Sequence, residues 1–362
     1  MKNKLKIIFI ILSFFSILRS QNLFPILGGQ RVGTSIFTFL NIGISARAVG
    51  MGESVVALNQ DASSIYYNPA IIAKLKNTEI SISTVQWPAE IKYDYFSMTH
   101  QLFKRHYFGF NGGLLHMSPM METTEFFPDG TGNYFTFQDW FFGIVYGAKM
   151  TDRFSYGLTI KHVNEELAGH KMNGLLLDMG TFYWTGYGSL RFCASLTNFG
   201  MQSSPEGKYE KKILDQDTGK EIIEVTEYEK FSPPTKFRVG AGLDPINNEM
   251  QILTVSLQLN HPVDNAEYIV TGIEYSYLNI LYLRAGHKFN KYEENFTYGI
   301  GLVVPVGPIK ARFDYGYANF DNLNDPKRFS VGFSIERKNY CIWFQLLFFS
   351  APVWSVLLYR LI

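Results

Sequence analysis

Only two cysteines occur in 362 residues, Cys193 and Cys341. They are too few and too far apart to frame a disulfide scaffold or a cysteine-rich zinc site. Net charge is nearly absent as well. The 33 basic and 32 acidic side chains leave +1, which gives no electrostatic reason to expect nucleic acid or an acidic polymer as partner. Charged residues make up 18%, below the quarter or so of an ordinary soluble domain. A mean hydropathy of −0.03 argues against a helical membrane protein, which needs several uncharged apolar runs of roughly 18 residues or more. Catalytic motifs are missing too: there is no phosphate loop with its Lys, no His-Glu-x-x-His and no Gly-x-Ser-x-Gly. Alternation places no nucleophile, base and orienter together, so neither an enzyme nor a cofactor is expected. What is abundant is aromatic residues and glycine, with 31 Phe, 22 Tyr and 31 Gly. A transmembrane β-barrel has these bulk numbers because its apolar outer face and polar inner face average out.

Lys2, Lys4 and Lys6 precede an apolar run over 7–17, and Ser20 stands before Gln21. These are the basic region, apolar region and small-residue cleavage site of a secretory signal, assigned to 1–20. The run is shorter than the ~20 residues that a spanning helix needs.

From Glu79 onward apolar and polar residues alternate with a period of two, which sends successive side chains to opposite faces of a sheet. Ile309, Ala311, Phe313, Tyr315 and Tyr317 take one face; Lys310, Arg312, Asp314 and Gly316 take the other. The stretches 153–161 and 329–336 alternate in the same way, so Phe329, Val331 and Phe333 share a face opposite to Ser330. Strands are expected at about 79–86, 91–102, 106–117, 134–150, 153–164, 171–185, 188–199, 234–244, 249–260, 266–277, 280–289, 295–305, 308–318 and 327–336. Tight turns at 104–105, 151–152, 186–187, 278–279 and 306–307 alternate with longer polar loops at 118–133, 200–233, 261–265, 290–294 and 319–326. Short turns at one end and long loops at the other belong to a barrel of the bacterial outer membrane, with the short turns and both chain ends periplasmic. The loop 200–233 carries its own hairpin signal around Asp217, Thr218 and Gly219. Asp215, Asp217 and Glu221 in it do not match a calcium loop, because the glycine comes one position early. Glu165, Glu166 and His170 share a short loop and are read as solvated rather than metal-binding.

Between 28 and 77 the two-residue period disappears and the chain becomes small and Gly-rich, most of all at 45–52. Asp61 can cap a short helical turn through Tyr66, and Asn68 before Pro69 reads as the cap of a helix running to about Leu75. A unit of about fifty residues is too small to form its own core, and a barrel of about fourteen strands has a lumen wide enough to need filling. The segment 21–77 is therefore read as a plug, the alternative being a periplasmic arm. The fold class that follows is all-β: an antiparallel transmembrane barrel over 78–337 with a small, partly helical N-terminal plug.

The residues 45–52 followed by Asp61-Ala62-Ser63-Ser64-Ile65-Tyr66-Tyr67-Asn68-Pro69-Ala70 resemble the N-terminal signature of the PorV/PorQ family of outer-membrane proteins. The close of the barrel, with Arg312, Asp314, Tyr315, Tyr317 and Phe320 and then 328–333, is similar as well. The resemblance spans about 33–336 and marks Arg47, Gly50, Gly52, Asp61, Asn68, Pro69 and Ala70 as the plug motif. It implies a plugged barrel related to FadL-type transporters, and a docking barrel for protein export or surface attachment in type IX secretion, with exported proteins or secretion components as partners. The alternative is a FadL-like channel that takes up hydrophobic small molecules. Outer-membrane lipid is a partner in either case.

Two further expectations follow. Lys236, Arg238, Arg284, Lys310 and Arg312 fall on inward positions and form a positive wall, for which Glu53, Asp61, Glu274 and Asp314 are the available counter-charges. The alternative is a water-filled lumen in which these charges stay unpaired. Within the tail 338–362, the run from Cys341 is apolar at every phase and has no charge before Arg360. That run is not a fifteenth alternating strand, and the residues after Asn339 are expected to be dispensable, so that a chain ending at Arg337 inserts as the full chain does.

Overall fold

The computed structural model describes residues 32–335 apart from 59–60, 76, 168, 215–220, 292–293 and 321–323. The signal segment, Cys341, the tail and the turn with Asp215 and Asp217 lie outside the described residues.

Fourteen antiparallel strands close into one barrel. They are β1 (Thr78–Gln86), β2 (Lys92–Phe103), β3 (His106–His116), β4 (Phe137–Lys149), β5 (Phe154–Leu167), β6 (His170–Trp184) and β7 (Arg191–Gly200), followed by β8 (Lys236–Asn247), β9 (Gln251–Pro262), β10 (Tyr268–Tyr277), β11 (Leu281–Phe289), β12 (Glu294–Val306), β13 (Ile309–Phe320) and β14 (Lys327–Ile335). Each strand pairs with its neighbour in sequence, and the seam joins β1 to β14 from Thr78 opposite Ile335 to Gln86 opposite Lys327. Two small ribbons stand outside the barrel, one from Lys208–Leu214 and Glu221–Glu227, the other from Met120–Met121 and Tyr134–Phe135.

Burial alternates along the strands as the period of two requires. On β4, Asp139, Phe141, Gly143, Val145 and Gly147 are buried, whereas Phe142 and Ile144 between them are exposed. Phe96, Phe110, Ile160, Phe313 and Phe329 are likewise large, apolar and exposed on the outer wall. In water such a belt would far exceed the apolar patch a soluble monomer carries; in a bilayer it is the face that meets lipid. No helix among the described residues is long and apolar enough to cross a membrane.

Local side chains adjust two of the expected connections. The loop with Glu165, Glu166 and His170 is a tight hairpin, because β5 runs to Leu167 and β6 resumes at His170. Asn164 and Asn173 bond across it at 2.9 Å, Glu166 pairs with Lys171 at 3.3 Å, and Gly169 takes a φ of +87° that favours glycine. Conversely, the turn at Gly186 and Tyr187 widens to 185–190. There Trp184 Nε1 donates to the Gly188 carbonyl at 2.8 Å, and Thr185 Oγ1 donates to that of Leu190 at 2.9 Å.

Among the described residues, the segment before β1 holds four short turns. Ala62–Tyr66 is capped by Asp61, and Pro69–Lys74 by Asn68 with Pro in the first turn; both are 3-10 turns, as short pieces often are. Thr38–Asn41 is a third, and Ala46–Gly50 is one turn of α-helix capped by Ser45.

Candidate functional site

The described residues of 35–75 lie inside the barrel, packed against its inner wall. Ile36 N–H donates to the Ser232 carbonyl at 3.1 Å and Phe37 N–H to Glu165 Oε2 at 2.8 Å, which fixes the start at the long-loop end. The chain then crosses to β14, where Arg328 Nε donates to the Gly43 carbonyl at 2.8 Å and Ala46 N–H donates to Ser330 Oγ at 2.9 Å. From there it follows the wall around the ring, and glycines let the two backbones touch. A Cβ on Gly299 of β12 would stand 3.0 Å from the Gly50 Cα, and one on Gly272 of β10 would stand 2.7 Å from the Met51 carbonyl. Gly52, at φ +66°, lies against Gly286 of β11; farther on, the Pro69 carbonyl lies against Gly157 of β5. Asn68 caps Ala70 N–H at 3.0 Å and also donates to the carbonyls of Val56 at 2.9 Å and Thr181 at 3.1 Å, so one side chain ties two parts of the plug to β6. Ala70 beyond it is fully buried.

One sector of the lumen is ionic. Arg47 grips Glu274 of β10 with two bonds, Nη2 to Oε1 at 2.6 Å and Nε to Oε2 at 2.9 Å. Arg284 joins the same Glu274 at 2.6 Å and Asp314 at 2.7 Å, and Arg312 pairs with Asp61 at 3.2 Å. The three guanidiniums of Arg47, Arg284 and Arg312 stand 5.4–5.8 Å from the ring centre of Tyr282. Nearer the long-loop end, Lys288 bridges Glu53 of the plug at 2.8 Å and Glu294 at 2.7 Å, and Lys291 adds a contact to Glu294 at 3.1 Å. Two ionic seams therefore join plug to wall, with the charges largely withdrawn from water.

The plug carboxyls respond to this setting. Burial pushes the Asp61 carboxyl up, but Arg312, Arg47 and hydrogen bonds from Ser63 outweigh it and hold the group below the usual carboxylate range. Burial likewise opposes ionisation of Glu53, and the Glu294 charge adds to that; Lys288, Lys291 and Lys236 together still keep its carboxyl low.

The opposite sector is aromatic. Register places Tyr93, Leu115 and Asp139 in one row of the inner wall and Tyr95, Gly113, Phe141 and Val163 in the next. Against them the plug sets Phe39 and Tyr66. The Tyr66 ring centre lies 5.6 Å from that of Tyr95 and 6.0 Å from that of Phe141, and Phe39 meets Tyr93 edge-on at 5.9 Å. Lys161 Nζ approaches the Tyr66 ring at 5.7 Å while it pairs with Asp178 at 2.9 Å and donates to Asn198 Oδ1 at 2.6 Å. Asn198 itself sits at φ +59°, where the β6–β7 register shifts.

Of the expected wall charges, Lys236, Arg238, Glu274, Arg284 and Asp314 are buried, and Arg312 is partly so. Arg238 donates to Thr197 Oγ1 at 2.8 Å and stands 5.9 Å from the Tyr67 ring centre. Lys310 is exposed instead, because it is the second residue of β13 and stands at the rim beside the turn. Sequence reasoning missed Lys288 and the Lys161–Asp178 pair. Carrying the alternation from Arg284 through Gly286 would have reached Lys288. The aromatic layer had no comparable signal, since Phe, Tyr and Trp stand on both faces of β2–β4.

No family model matches the chain, and no curated protein matches it. Solved structures do. The toluene transporter TodX of Pseudomonas putida aligns over 85% of this chain and 100% of its own, at a TM-score of 0.55 and 13% identity. The monoaromatic hydrocarbon channel CymD aligns over 82% of this chain and 98% of its own, at 0.53 and 12%. A FadL homologue of Pseudomonas aeruginosa aligns over 85% and 99%, at 0.46 and 10%. The likeness to TodX and CymD is one of fold alone.

Proposed function

We propose that this chain is a plugged channel of the bacterial outer membrane that passes hydrophobic small molecules. The observation that carries the reading is the aromatic sector of Tyr93, Tyr95 and Phe141 inside a lumen whose other wall is ionic. Barrel interiors are ordinarily polar, so apolar rows that face inward need an occupant. In the plugged state that occupant is Phe39 and Tyr66; in transit it is the passing molecule. Ion pairs hold the plug on the opposite side, so displacing Tyr66 from the aromatic rows need not break them. The fold shared with TodX and CymD, described as hydrocarbon channels, supports the same reading.

The test is uptake of labelled toluene by cells that lack or carry the protein. Faster uptake with the protein, reduced in Phe141→Glu at equal amounts of heat-resistant barrel, is the expected result. Equal uptake with and without the protein would overturn the reading.

A second reading, a docking barrel for exported proteins as the PorV/PorQ resemblance implies, draws on one observation. The β3–β4 connection exposes Met120, Met121, Phe126, Phe127 and Tyr134, with Phe126 85% accessible. Under that reading, Phe126→Ser with Phe127→Ser changes what co-purifies from outer membranes and leaves toluene uptake alone. An unchanged set of co-purifying proteins counts against it.

A further inference from the structure

Beneath the aromatic rows the inner wall of β2–β5 turns polar without turning charged. Register sets Ser97 beside Asn111, and Asn111 beside Gly143, in one row; Thr99, Gly109, Val145 and Thr159 form the next. Ser97 and Thr159 are fully buried, Thr99 and Asn111 nearly so. The Thr99 and Thr159 hydroxyls have no hydrogen-bond partner, and Ser97 and Asn111 have none beyond the Tyr95 hydroxyl at the border between the two layers.

A single buried hydroxyl without a partner is unremarkable, but such groups gathered on one patch of wall are costly unless a partner comes to them. The patch is neutral. Its nearest cation, Lys161 in the adjoining position of the Asn111 row, already has Asp178 and Asn198. The patch therefore suits a hydrogen-bonding group that carries no charge.

The plug itself displays the matching chemistry. Tyr66 lays a phenol ring against Tyr95 and Phe141, and its hydroxyl donates to the Leu40 carbonyl at 2.7 Å. A molecule that replaces Tyr66 meets the same rings, with the hydroxyls of Ser97, Thr99 and Thr159 and the Asn111 amide in the rows below.

We infer that the molecule this lumen selects has a ring-sized apolar body and a neutral hydrogen-bonding head, the class of phenols and aryl alcohols, rather than a plain hydrocarbon. The aromatic rows take the body; Ser97, Thr99, Asn111 and Thr159 take the head. The inference rests on the channel reading above and narrows it.

The experiment compares p-cresol with p-xylene, which differ by one hydroxyl in place of a methyl, in equilibrium binding to the full chain in detergent. The expected result is p-cresol binding about tenfold more tightly. In Asn111→Leu with Thr99→Val the gap closes to within about twofold while p-xylene binding is unchanged. Thr159→Val, which alters one hydroxyl at constant shape, narrows the gap and serves if the double variant does not fold. Equal binding of the two compounds, or a gap that survives in a folded variant, overturns this inference and leaves the channel reading in place. Binding of neither compound overturns both.

Discussion

Arg47 of the plug and Glu274 of the wall are joined by two hydrogen bonds, and Glu274 Oε2, one of the two accepting oxygens, also accepts from Arg284 Nε. The carboxylate is thus shared, and the two ends of the pair are not equivalent. Glu274→Leu leaves Arg47 buried without its carboxylate and is expected to cost about 3–5 kcal/mol. Arg47→Leu leaves Glu274 still paired with Arg284 and is expected to cost less. Thermal melting in detergent checks the order; equal losses would show that Arg284 does not share the load.

Acid should loosen the plug. Asp61 and Glu53 titrate below the ordinary carboxylate values of about 3.9 and 4.3, so the stability they add is complete above that range and disappears as pH falls through their lowered values. Protease access to the plug is expected to stay constant from about pH 8 to pH 5 and to rise only below about pH 4. A rise near neutrality would point to a different group.

The lipid-facing wall should reject charge. Phe313→Arg is expected to cost about 2–4 kcal/mol near mid-membrane, whereas Lys310→Gln at the exposed rim should fall within about 0.5 kcal/mol of the parent. Ser330 faces inward as well, but its hydroxyl accepts from Ala46 N–H, so a substitution there would disturb the plug too. Refolding into liposomes under urea measures both.

The glycine contacts admit a sharper comparison. A Cβ on Gly157 would enter the Pro69 carbonyl, whereas one on Gly332 would come no closer than 3.7 Å to Arg312. Gly157→Ala should therefore unseat the Pro69 turn, and with it the Asn68 bonds, and lower the melting temperature. Gly332→Ala should be silent. Similar melting temperatures for the two variants would mean that the plug accommodates the added methyl by shifting.

The strands were legible because alternation is a local property, and 308–318 announces its two faces without reference to anything else. The caps at Asp61 and Asn68 were legible for the same reason. The circuit of the plug along the wall was not, because Gly50 meets Gly299 only through the closed ring, and nothing local to either position records the other. The two faces of β2–β4 were ambiguous in another way. Tyr95 and Phe96, or Phe141 and Phe142, are alike in composition, and only the closed barrel assigns one of each pair to the lumen.

Asn77 ends the plug and bonds to Ser334 of β14 at 2.9 Å, and the next residue opens the strand that closes the seam on that same β14. With main chain resting on main chain at Gly157, Gly286 and Gly299, threading the segment in once the ring is shut would have to part the wall at each of those contacts. Seating and closure are then a single step of biogenesis, in which the wall forms around its own stopper. A chain without residues 32–77 would have to close on an unfilled lumen, and supplying the missing segment later as a free peptide is expected not to restore the seal.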